Sequence, residues 1–242
     1  MSGNRIALVT GGSRRVGRAI VERLAAGGYD VAFTYLTGGK AAEELSGLVR
    51  STGRRCLAIE ADLTQPGAAV AQIAAQLEPL GRLDVLVNSA SIYRPGGLQD
   101  PALPDSTRMW TIHVESPLLL CQRFEKFLRA ARGHVVNMVD LLAERPWPKY
   151  LAYSASKAGL WSLTLGLARA LAPEVTVNGI APGVVEWPED YPQVERENYL
   201  KRVPLARAGT PQDVADLVHF LCTSGSYLTG QIIRLDGGRS IT

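Results

Sequence analysis

Short apolar segments alternate with longer amphipathic segments along this chain of 242 residues. The short segments are rich in β-branched residues, as strands buried on both faces are, and the longer ones place apolar residues at helical spacing. This alternation predicts strand–helix–strand units, which fold into a parallel sheet with helices on both faces. No linker or low-complexity stretch divides the chain, so residues 1–242 are expected to form a single doubly wound α/β domain.

The pattern predicts seven strands, at Arg5–Thr10, Asp30–Tyr35, Arg55–Glu60, Leu83–Asn88, His134–Met138, Val175–Ala181 and Gln231–Leu235. Helices are predicted at Arg15–Ala26, Lys40–Ser51, Gln65–Leu77, Asp105–Ala131 and Tyr153–Leu171. A last helix is predicted to begin after Thr210, which caps it, with Pro211 in its first turn and Asp213 near the positive end of its dipole. This order is typical of a Rossmann-type fold with a seven-stranded parallel sheet. The irregular, proline-rich stretch 183–204 is expected to close over a substrate.

Composition narrows the class of protein. Hydrophobic residues make up 46% and charged residues 20% of the chain, with a net charge of +3, which is typical of soluble globular proteins. There is no Lys/Arg run typical of a nucleic-acid surface and no apolar stretch long enough to span a bilayer. Cys56, Cys121 and Cys222 are odd in number and far apart, which disfavours disulfides and metal sites and favours the reducing cytoplasm.

A glycine-rich turn follows the first predicted strand, with the sequence Thr10-Gly11-Gly12-Ser13-Arg14-Arg15-Val16-Gly17. Glycines between a strand and a helix let the backbone approach a phosphate, and the N–H groups and positive dipole end of the helix then bind it. The turn therefore predicts a dinucleotide site.

The second predicted strand ends at Phe33-Thr34-Tyr35-Leu36, without a carboxylate. An acidic residue there would bind the ribose hydroxyl of NAD. In its absence, Thr37 can donate a hydrogen bond to the 2′-phosphate of NADPH, and Arg14 and Lys40 can supply positive charge. The pattern predicts NADPH over NADH. In the alternative interpretation, Lys40 only solvates the start of a helix.

Several motifs, in order along nearly the whole chain, resemble those of the short-chain dehydrogenase/reductase family. They are Asp62 after the third strand, Asn88-Ser89-Ala90, Tyr153 and Lys157 in Tyr-x-x-x-Lys spacing, Pro182-Gly183 and Asp236-Gly237-Gly238. The resemblance implies an oxidoreductase in which Asp62 contacts adenine and Lys157 holds the nicotinamide ribose. Together with the turn, it implies cofactor contacts from Gly11, Arg14, Arg15, Val16, Tyr35, Thr37, Lys40, Asp62, Leu63, Asn88, Ala90, Ser91, Tyr153, Lys157, Pro182 and Gly183.

The chemistry of the Tyr153–Lys157 pair agrees with this resemblance. A group that accepts a hydride also needs a proton, and a phenol ionises at about pH 10, too high for an acid poised at neutrality. The two side chains lie one turn apart on a predicted helix. We expect the Lys157 ammonium to lower the pKa of Tyr153.

Three positions depart from the family's usual residues. Arg15 stands in place of a glycine, Asp140 in place of the catalytic serine, and His113 in place of an asparagine. The first two changes resemble the pteridine reductases and dihydromonapterin reductases, which act in pterin and folate metabolism with NADPH. This resemblance implies catalytic roles for Asp140, Tyr153 and Lys157, and substrate contacts from Arg15, Ser91, Tyr93, Asp140, Tyr153 and Trp187.

Asp140 also favours a pterin on physical grounds. A carboxylate would repel the alkoxide that develops when a ketone is reduced, whereas a carboxyl group that pairs with ring N–H groups suits reduction of a C=N bond. A buried site would raise the pKa of Asp140 and let it donate a proton. Alternatively, Asp140 only caps the loop after the fifth strand.

Other residues leave two interpretations open. His113 either serves catalysis through a ring nitrogen or satisfies a bulge in its helix. Trp147, Tyr150 and Trp187 either line the substrate site or belong to the core or an interface. By resemblance, the chain is expected to form a homotetramer through the helices at Asp105–Ala131 and Tyr153–Leu171. The second of these is apolar nearly all round, as a doubly buried helix is, at Leu160, Trp161, Leu163, Leu165 and Leu167.

Two rival functions compete with pterin reduction. A reductase of 3-oxoacyl thioesters or other ketones would share the fold and cofactor, but Arg15 and Asp140 count against it. A catalytically idle NADPH-binding protein would have no need of the intact Tyr153–Lys157 pair. The sequence therefore favours NADPH-dependent reduction of a dihydropterin to a tetrahydropterin, or of dihydrofolate.

Overall fold

The computed structural model describes residues 4–99, 103–187 and 191–242, and its strands form one parallel sheet. The strands are β1 (Ile6–Val9), β2 (Asp30–Tyr35), β3 (Cys56–Glu60), β4 (Val85–Asn88), β5 (His134–Met138), β6 (Thr176–Pro182) and β7 (Ile232–Leu235). Their order across the sheet is β3-β2-β1-β4-β5-β6-β7. The predicted seven-stranded parallel sheet is confirmed, with β2 and β5 at their predicted bounds.

Helices cover both faces of the sheet, as predicted. They are α1 (Arg15–Ala26), α2 (Gly39–Ser51), α3 (Pro66–Leu77), α4 (Leu103–Trp110), α5 (Ser116–Ala131), α6 (Leu151–Leu171), α7 (Gln193–Leu200) and α8 (Pro211–Thr223). On one face, α1, α2 and α8 bury apolar side chains such as Leu24 and Val218. On the other face, α3, α5 and α6 bury Ile73, Phe124 and Leu171. The two apolar layers hold the sheet between them.

The single helix predicted at Asp105–Ala131 is wrong in one respect. A π-helical turn at Thr111–Glu115 separates α4 from α5. Pro117 has no N–H to donate to the carbonyl of His113, four residues earlier, so the regular hydrogen-bond ladder cannot continue through this point. Turns of this kind are frequent at functional sites, and this one contains His113.

Helices α6 and α7 differ most from the prediction. Helix α6 begins at Leu151, so Tyr153 lies inside its first turn rather than at its start. Helix α7 lies within the stretch 183–204 that we predicted to be irregular. None of its residues is buried, so it lacks the apolar stripe that would have revealed helical spacing.

The predicted cap of α8 is confirmed. Thr210 accepts a hydrogen bond from Asp213 N, and the Asp213 carboxylate accepts one from Thr210 N at 2.8 Å. This reciprocal capping satisfies two N–H groups at the helix start. Proline at position 211 fits the same turn, because its missing N–H would have no partner there.

The strand order reverses at β1, because β2 and β4 lie on its two sides. The connections that leave the carboxyl ends of β1 and β4 therefore diverge to opposite faces and leave a crevice. The glycine-rich turn, Ser91 and Asp140 follow β1, β4 and β5, so the fold brings them to this edge. Within the described residues, no helix is long and apolar enough to cross a membrane.

Candidate active site

The start of α1 forms an open cradle for a phosphate. No side chain of the described residues caps its N-terminus, so its first N–H groups and positive dipole end can bind an anion. Gly11 and Gly17 allow the chain to approach closely here. A Cβ on Gly11 would lie 2.8 Å from Ala90 Cα, and one on Gly17 would lie 2.1 Å from Gly11 O. These residues fit the phosphates of the predicted dinucleotide.

Arg15 adopts a left-handed backbone conformation, with φ of 53°. This conformation favours glycine and costs other residues on the order of 1–3 kcal/mol, a strain that is commonly kept where a side chain has a function. The Arg15 side chain lines the cleft described below, and its Nε forms an ion pair with Glu186 Oε2 at 2.9 Å. The strained backbone therefore places a guanidinium between the phosphate cradle and the cleft.

The residues predicted to select NADPH lie at the end of β2. Arg14 Nη2 donates hydrogen bonds to the hydroxyl of Thr37 and, at 3.2 Å, to its carbonyl oxygen. Lys40 is exposed in the first turn of α2, and Tyr35 is half-buried at the end of the strand. Arg14 and Thr37 thus form a cationic, donor-rich corner that fits a 2′-phosphate.

The other predicted cofactor residues follow β3, β4 and β6. Asp62 Oδ1 accepts hydrogen bonds from Thr64 N at 2.9 Å and Thr64 Oγ1 at 2.8 Å, which fixes the loop after β3. Leu63, Asn88 and Ala90 line one small cavity. The buried Oδ1 of Asn88 has no hydrogen-bond partner among the described residues. An orphaned acceptor beside the cradle fits a site that a ligand completes.

Asp140 and Tyr153 form a hydrogen-bonded pair. Tyr153 Oη donates to Asp140 Oδ2 at 2.8 Å, while Asp140 Oδ1 accepts from Leu142 N at 2.8 Å. One oxygen of Asp140 therefore caps the loop, and the other accepts a hydrogen bond from the phenol. Burial raises the pKa of Asp140 above its ordinary value, which confirms the direction that we predicted.

Our prediction that Lys157 lowers the pKa of Tyr153 is wrong. Lys157 Nζ donates to Met138 O at 2.7 Å and lies 5.7 Å from the centre of the Tyr153 ring. Burial, and then the negative charge of Asp140, hold the pKa of Tyr153 well above its ordinary value. Burial also lowers the pKa of Lys157 to about 8. The phenol therefore keeps its proton at neutral pH, as a proton donor must.

His113 lies buried in the π-helical turn and connects three segments. Its Nε2 accepts from Ile92 N at 3.3 Å and lies 2.8 Å from Ser91 Oγ, while its Nδ1 lies 2.8 Å from Ser156 Oγ. Ser156 already donates its own proton to Tyr153 O at 2.7 Å, so the ring proton sits on Nδ1. Burial holds the pKa of His113 well below its ordinary value, so the ring is neutral.

A cleft of about 310 Å³ contains the Asp140–Tyr153 pair. Its walls are largely aromatic and aliphatic with three arginines, and consist of Arg15, Tyr93, Asp140, Leu141, Leu142, Arg145, Trp147, Tyr153, Pro182, Gly183, Val184, Val185, Glu186, Trp187, Tyr191, Tyr199, Arg239 and Ser240. An apolar cleft of this size with a few convergent polar groups suits a small ligand. All predicted substrate residues meet here except Ser91, which does not line the cleft.

The aromatic residues that we left open divide between the two interpretations. Trp147 and Trp187 line the cleft, and the Trp187 ring packs 5.0 Å from Tyr191 and 5.4 Å from Tyr199, between ring centres. Tyr150 does not line it. Its ring stacks on Tyr93, with the centres 4.6 Å apart and the planes inclined by 16°. Tyr150 therefore supports a wall residue from behind.

Sequence reasoning did not name the cleft residues Arg145, Glu186, Tyr191, Tyr199 and Arg239 individually. Three of them, Glu186, Tyr191 and Tyr199, lie in the stretch 183–204 that we expected to close over a substrate. The five residues lie in segments far apart along the chain, and no motif spacing connects them. Arg239 carried the one available signal, since it directly follows the Asp-Gly-Gly motif.

Comparison with known proteins agrees with this geometry. The family model described as enoyl-(acyl carrier protein) reductase matches residues 11–240. A short-chain dehydrogenase/reductase of Hericium erinaceus is 34% identical over 253 aligned positions, covering 99% of each chain. A 3-oxoacyl-[acyl-carrier-protein] reductase of Synechocystis is 32% identical, covering 97% of this chain and 96% of that protein. The crystal structure of a short-chain dehydrogenase from Burkholderia cenocepacia in complex with NADP is 36% identical, with a TM-score of 0.91 and 98% coverage of both chains.

Proposed function

This chain belongs to the short-chain dehydrogenase/reductase family, and we propose that within it the protein reduces a pterin with NADPH. The proposal rests on the Tyr153 Oη–Asp140 Oδ2 hydrogen bond of 2.8 Å, which puts a buried carboxyl group where the family carries a neutral serine. None of the relatives named above is described as acting on a pterin. The support for this substrate therefore comes from the residues of the site.

The Asp140–Tyr153 pair is suited to protonating a ring nitrogen. Bound NADPH supplies a hydride to a carbon of the substrate. Tyr153 Oη then donates its proton to the adjacent nitrogen, and the carboxyl group of Asp140, already hydrogen-bonded to that oxygen, replaces it. Leu142 N holds the other carboxyl oxygen and so fixes the orientation of Asp140. Burial raises the pKa of both groups, which favours their protonated forms.

The cleft walls favour a flat substrate. Tyr93 lies in the wall with 46% of its surface exposed, and Tyr150 stacks on it. A supported ring of this kind offers a stacking surface to a planar heterocycle. Trp187, packed against Tyr191, adds a second aromatic wall.

A panel of substrates tests the proposal. We expect the protein to oxidise NADPH with 7,8-dihydrobiopterin, dihydromonapterin or dihydrofolate, and to turn over acetoacetyl thioesters much more slowly. If the protein turned over the thioesters alone, its function would be the reduction of 3-oxoacyl thioesters and not of pterins.

Reduction of 3-oxoacyl thioesters is the second candidate function, because the Synechocystis relative is named for it. The fold, the cofactor cradle and Tyr153 would serve that reaction equally. It differs in the group beside the phenol, since the carboxyl group of Asp140 would repel a developing alkoxide whenever it is ionised. The substrate panel separates the two candidates.

NADPH is the cofactor of this proposal, and Arg14 is expected to select it over NADH. The Arg14–Thr37 corner would bind the 2′-phosphate. We expect Arg14→Gln to lower kcat/KM for NADPH by about 10–100-fold, since a hydrogen bond to a charged group contributes about 1.5–3 kcal/mol. The value of kcat/KM for NADH, which has no 2′-phosphate, should hardly change. Arg50→Gln, at an exposed position in the last turn of α2, is the control. An equal loss with both cofactors would contradict this role.

Assembly and location complete the proposal. We propose a homotetramer built through α4–α5 and α6. Helix α6 buries Leu160 and Leu167 but leaves Leu165 41% exposed, and Trp110 on α4 is 50% exposed, so apolar surface is left for partner subunits. A monomer in light scattering would contradict this. The three cysteines are free and buried, in keeping with a cytoplasmic location.

A further inference from the structure

Two arginines in the cleft wall form no ion pair with an acidic side chain of the described residues. Arg145 and Arg239 line the same cleft as the Asp140–Tyr153 pair. The third arginine of the cleft, Arg15, is already paired with Glu186. The Arg145 guanidinium donates to Thr242 O at 3.2 Å, which leaves most of its donors free. One end of the cleft wall thus carries positive charge that the described side chains do not neutralise.

Arg239 gives stronger evidence than Arg145 for a binding site on this wall of the cleft. Its Nε is buried and has no hydrogen-bond partner within the described part of the chain. Its guanidinium carbon lies 5.7 Å from the centre of the Tyr199 ring, which also lines the cleft. The acid nearest in sequence, Asp236, is occupied, because its two oxygens accept from Gly238 N at 2.9 Å and Ser240 N at 2.7 Å. A buried donor without a partner is costly, so a ligand that supplies an acceptor would relieve it.

We propose that the substrate carries an anionic group, a carboxylate or a phosphate, which binds Arg239 and Arg145 while its ring reacts at the Asp140–Tyr153 pair. The planar fork of a guanidinium matches both anions, and binds them with paired hydrogen bonds. This inference rests on the proposed function and narrows it. Among pterins, the site would favour one with a charged tail, such as dihydrofolate, over one with a neutral side chain, such as dihydrobiopterin.

Three dihydropterins test the anion site, with kcat/KM as the readout. Dihydrobiopterin is neutral, dihydrofolate carries carboxylates, and dihydroneopterin phosphate carries a phosphate. We expect kcat/KM for one or both charged compounds to exceed that for the neutral compound by about tenfold or more. In Arg239→Gln, kcat/KM for the charged compounds should fall about 10–100-fold, mainly because KM rises, as the loss of a hydrogen bond to a charged group predicts. The compound that loses more in the variant identifies the anion. Added salt should weaken the preference.

Matched variants separate charge from folding. Arg239→Lys keeps the positive charge but loses the planar guanidinium. Its kcat/KM for the charged substrates should therefore lie between the values for the wild type and for Arg239→Gln. Arg145→Gln tests the second arginine independently, and Arg50→Gln, outside the cleft, should behave like the wild type. In the Arg239 and Arg145 variants, kcat/KM for dihydrobiopterin should fall much less than kcat/KM for the charged compounds. Thermal unfolding curves show that each variant is folded.

The outcomes distinguish this inference from the proposed function. If all three pterins are reduced alike, and Arg239→Gln affects none or all of them equally, the anion site is wrong while pterin reduction stands. If no pterin is reduced, the proposed function fails. The same variants are then compared on acetoacetyl-CoA, which carries phosphates, and on the neutral acetoacetyl-N-acetylcysteamine. A loss confined to the CoA thioester would support the anion site, and an equal loss or none would overturn it.

Discussion

Replacement of Tyr153 by phenylalanine is expected to lower kcat by about 10²–10⁴-fold, the usual contribution of a positioned general acid. The change removes the hydroxyl that we propose as the proton donor, and leaves Asp140 with its hydrogen bond from Leu142 N. NADPH affinity, measured from the quenching of its fluorescence, should stay close to that of the wild type. The loss should therefore appear in kcat rather than in cofactor binding.

A control and a pH profile sharpen this prediction. Tyr227→Phe alters a fully exposed tyrosine and should leave kcat unchanged. In the wild type, the pKa of Tyr153 is raised well above its ordinary value by burial and by Asp140. The phenol should therefore stay protonated, and no loss of kcat from its ionisation is expected below about pH 10. A Tyr153→Phe enzyme that kept more than a tenth of the wild-type kcat would show that another group donates the proton.

Replacement of Asp140 by serine is expected to change which substrate the enzyme prefers. Reduction of dihydropterins should fall about 100-fold or more, because the carboxyl group that supplies a proton to Tyr153 is lost. Acetoacetyl thioester reduction should be kept or should rise, since the neutral hydroxyl no longer opposes a developing alkoxide. The measurement is the ratio of kcat/KM for the two substrates. If the Asp140→Ser variant reduced pterins at the wild-type rate, Asp140 would be ruled out as the group that supplies a proton to Tyr153.

Asp140→Asn separates the proton from the shape of the side chain. The amide oxygen can still accept the hydrogen bond from Leu142 N, while the amide NH2 group faces Tyr153 Oη as a donor and holds no transferable proton. Burial raises the pKa of Asp140, and the group works as an acid only while protonated. Pterin reduction by the wild type should therefore be full below this raised pKa and decline as the pH rises through it. The residual pterin reduction by Asp140→Asn should show no such decline as the pH rises.

The parts of the fold that sequence predicted are those governed by local rules. Buried parallel strands are continuous apolar runs, so β2 and β5 were found at their bounds. Capping chemistry is equally local, and Thr210 with Asp213 marked the start of α8 correctly. The glycine-rich turn was recognisable because a close backbone approach demands glycine at particular points, as at Gly11.

The parts that sequence did not predict depend on distant contacts. The π-helical turn arises from Pro117 together with the partners of His113, which come from two other segments. The pKa of Tyr153 was predicted in the wrong direction, because spacing along a helix put Lys157 near it but could not show that Met138 O binds the ammonium. The position of Arg239 in the cleft likewise depends on how the end of the chain packs.

The most direct test of pterin reduction by NADPH follows the hydride itself. The protein is supplied with NADPH deuterated at both C4 positions and with equal concentrations of a dihydropterin, dihydrofolate and an acetoacetyl thioester, and the products are analysed by mass spectrometry. Our account predicts deuterium on carbon in a tetrahydropterin or in tetrahydrofolate, and little in the thioester product. Deuterium found in the 3-hydroxyacyl thioester alone would contradict it.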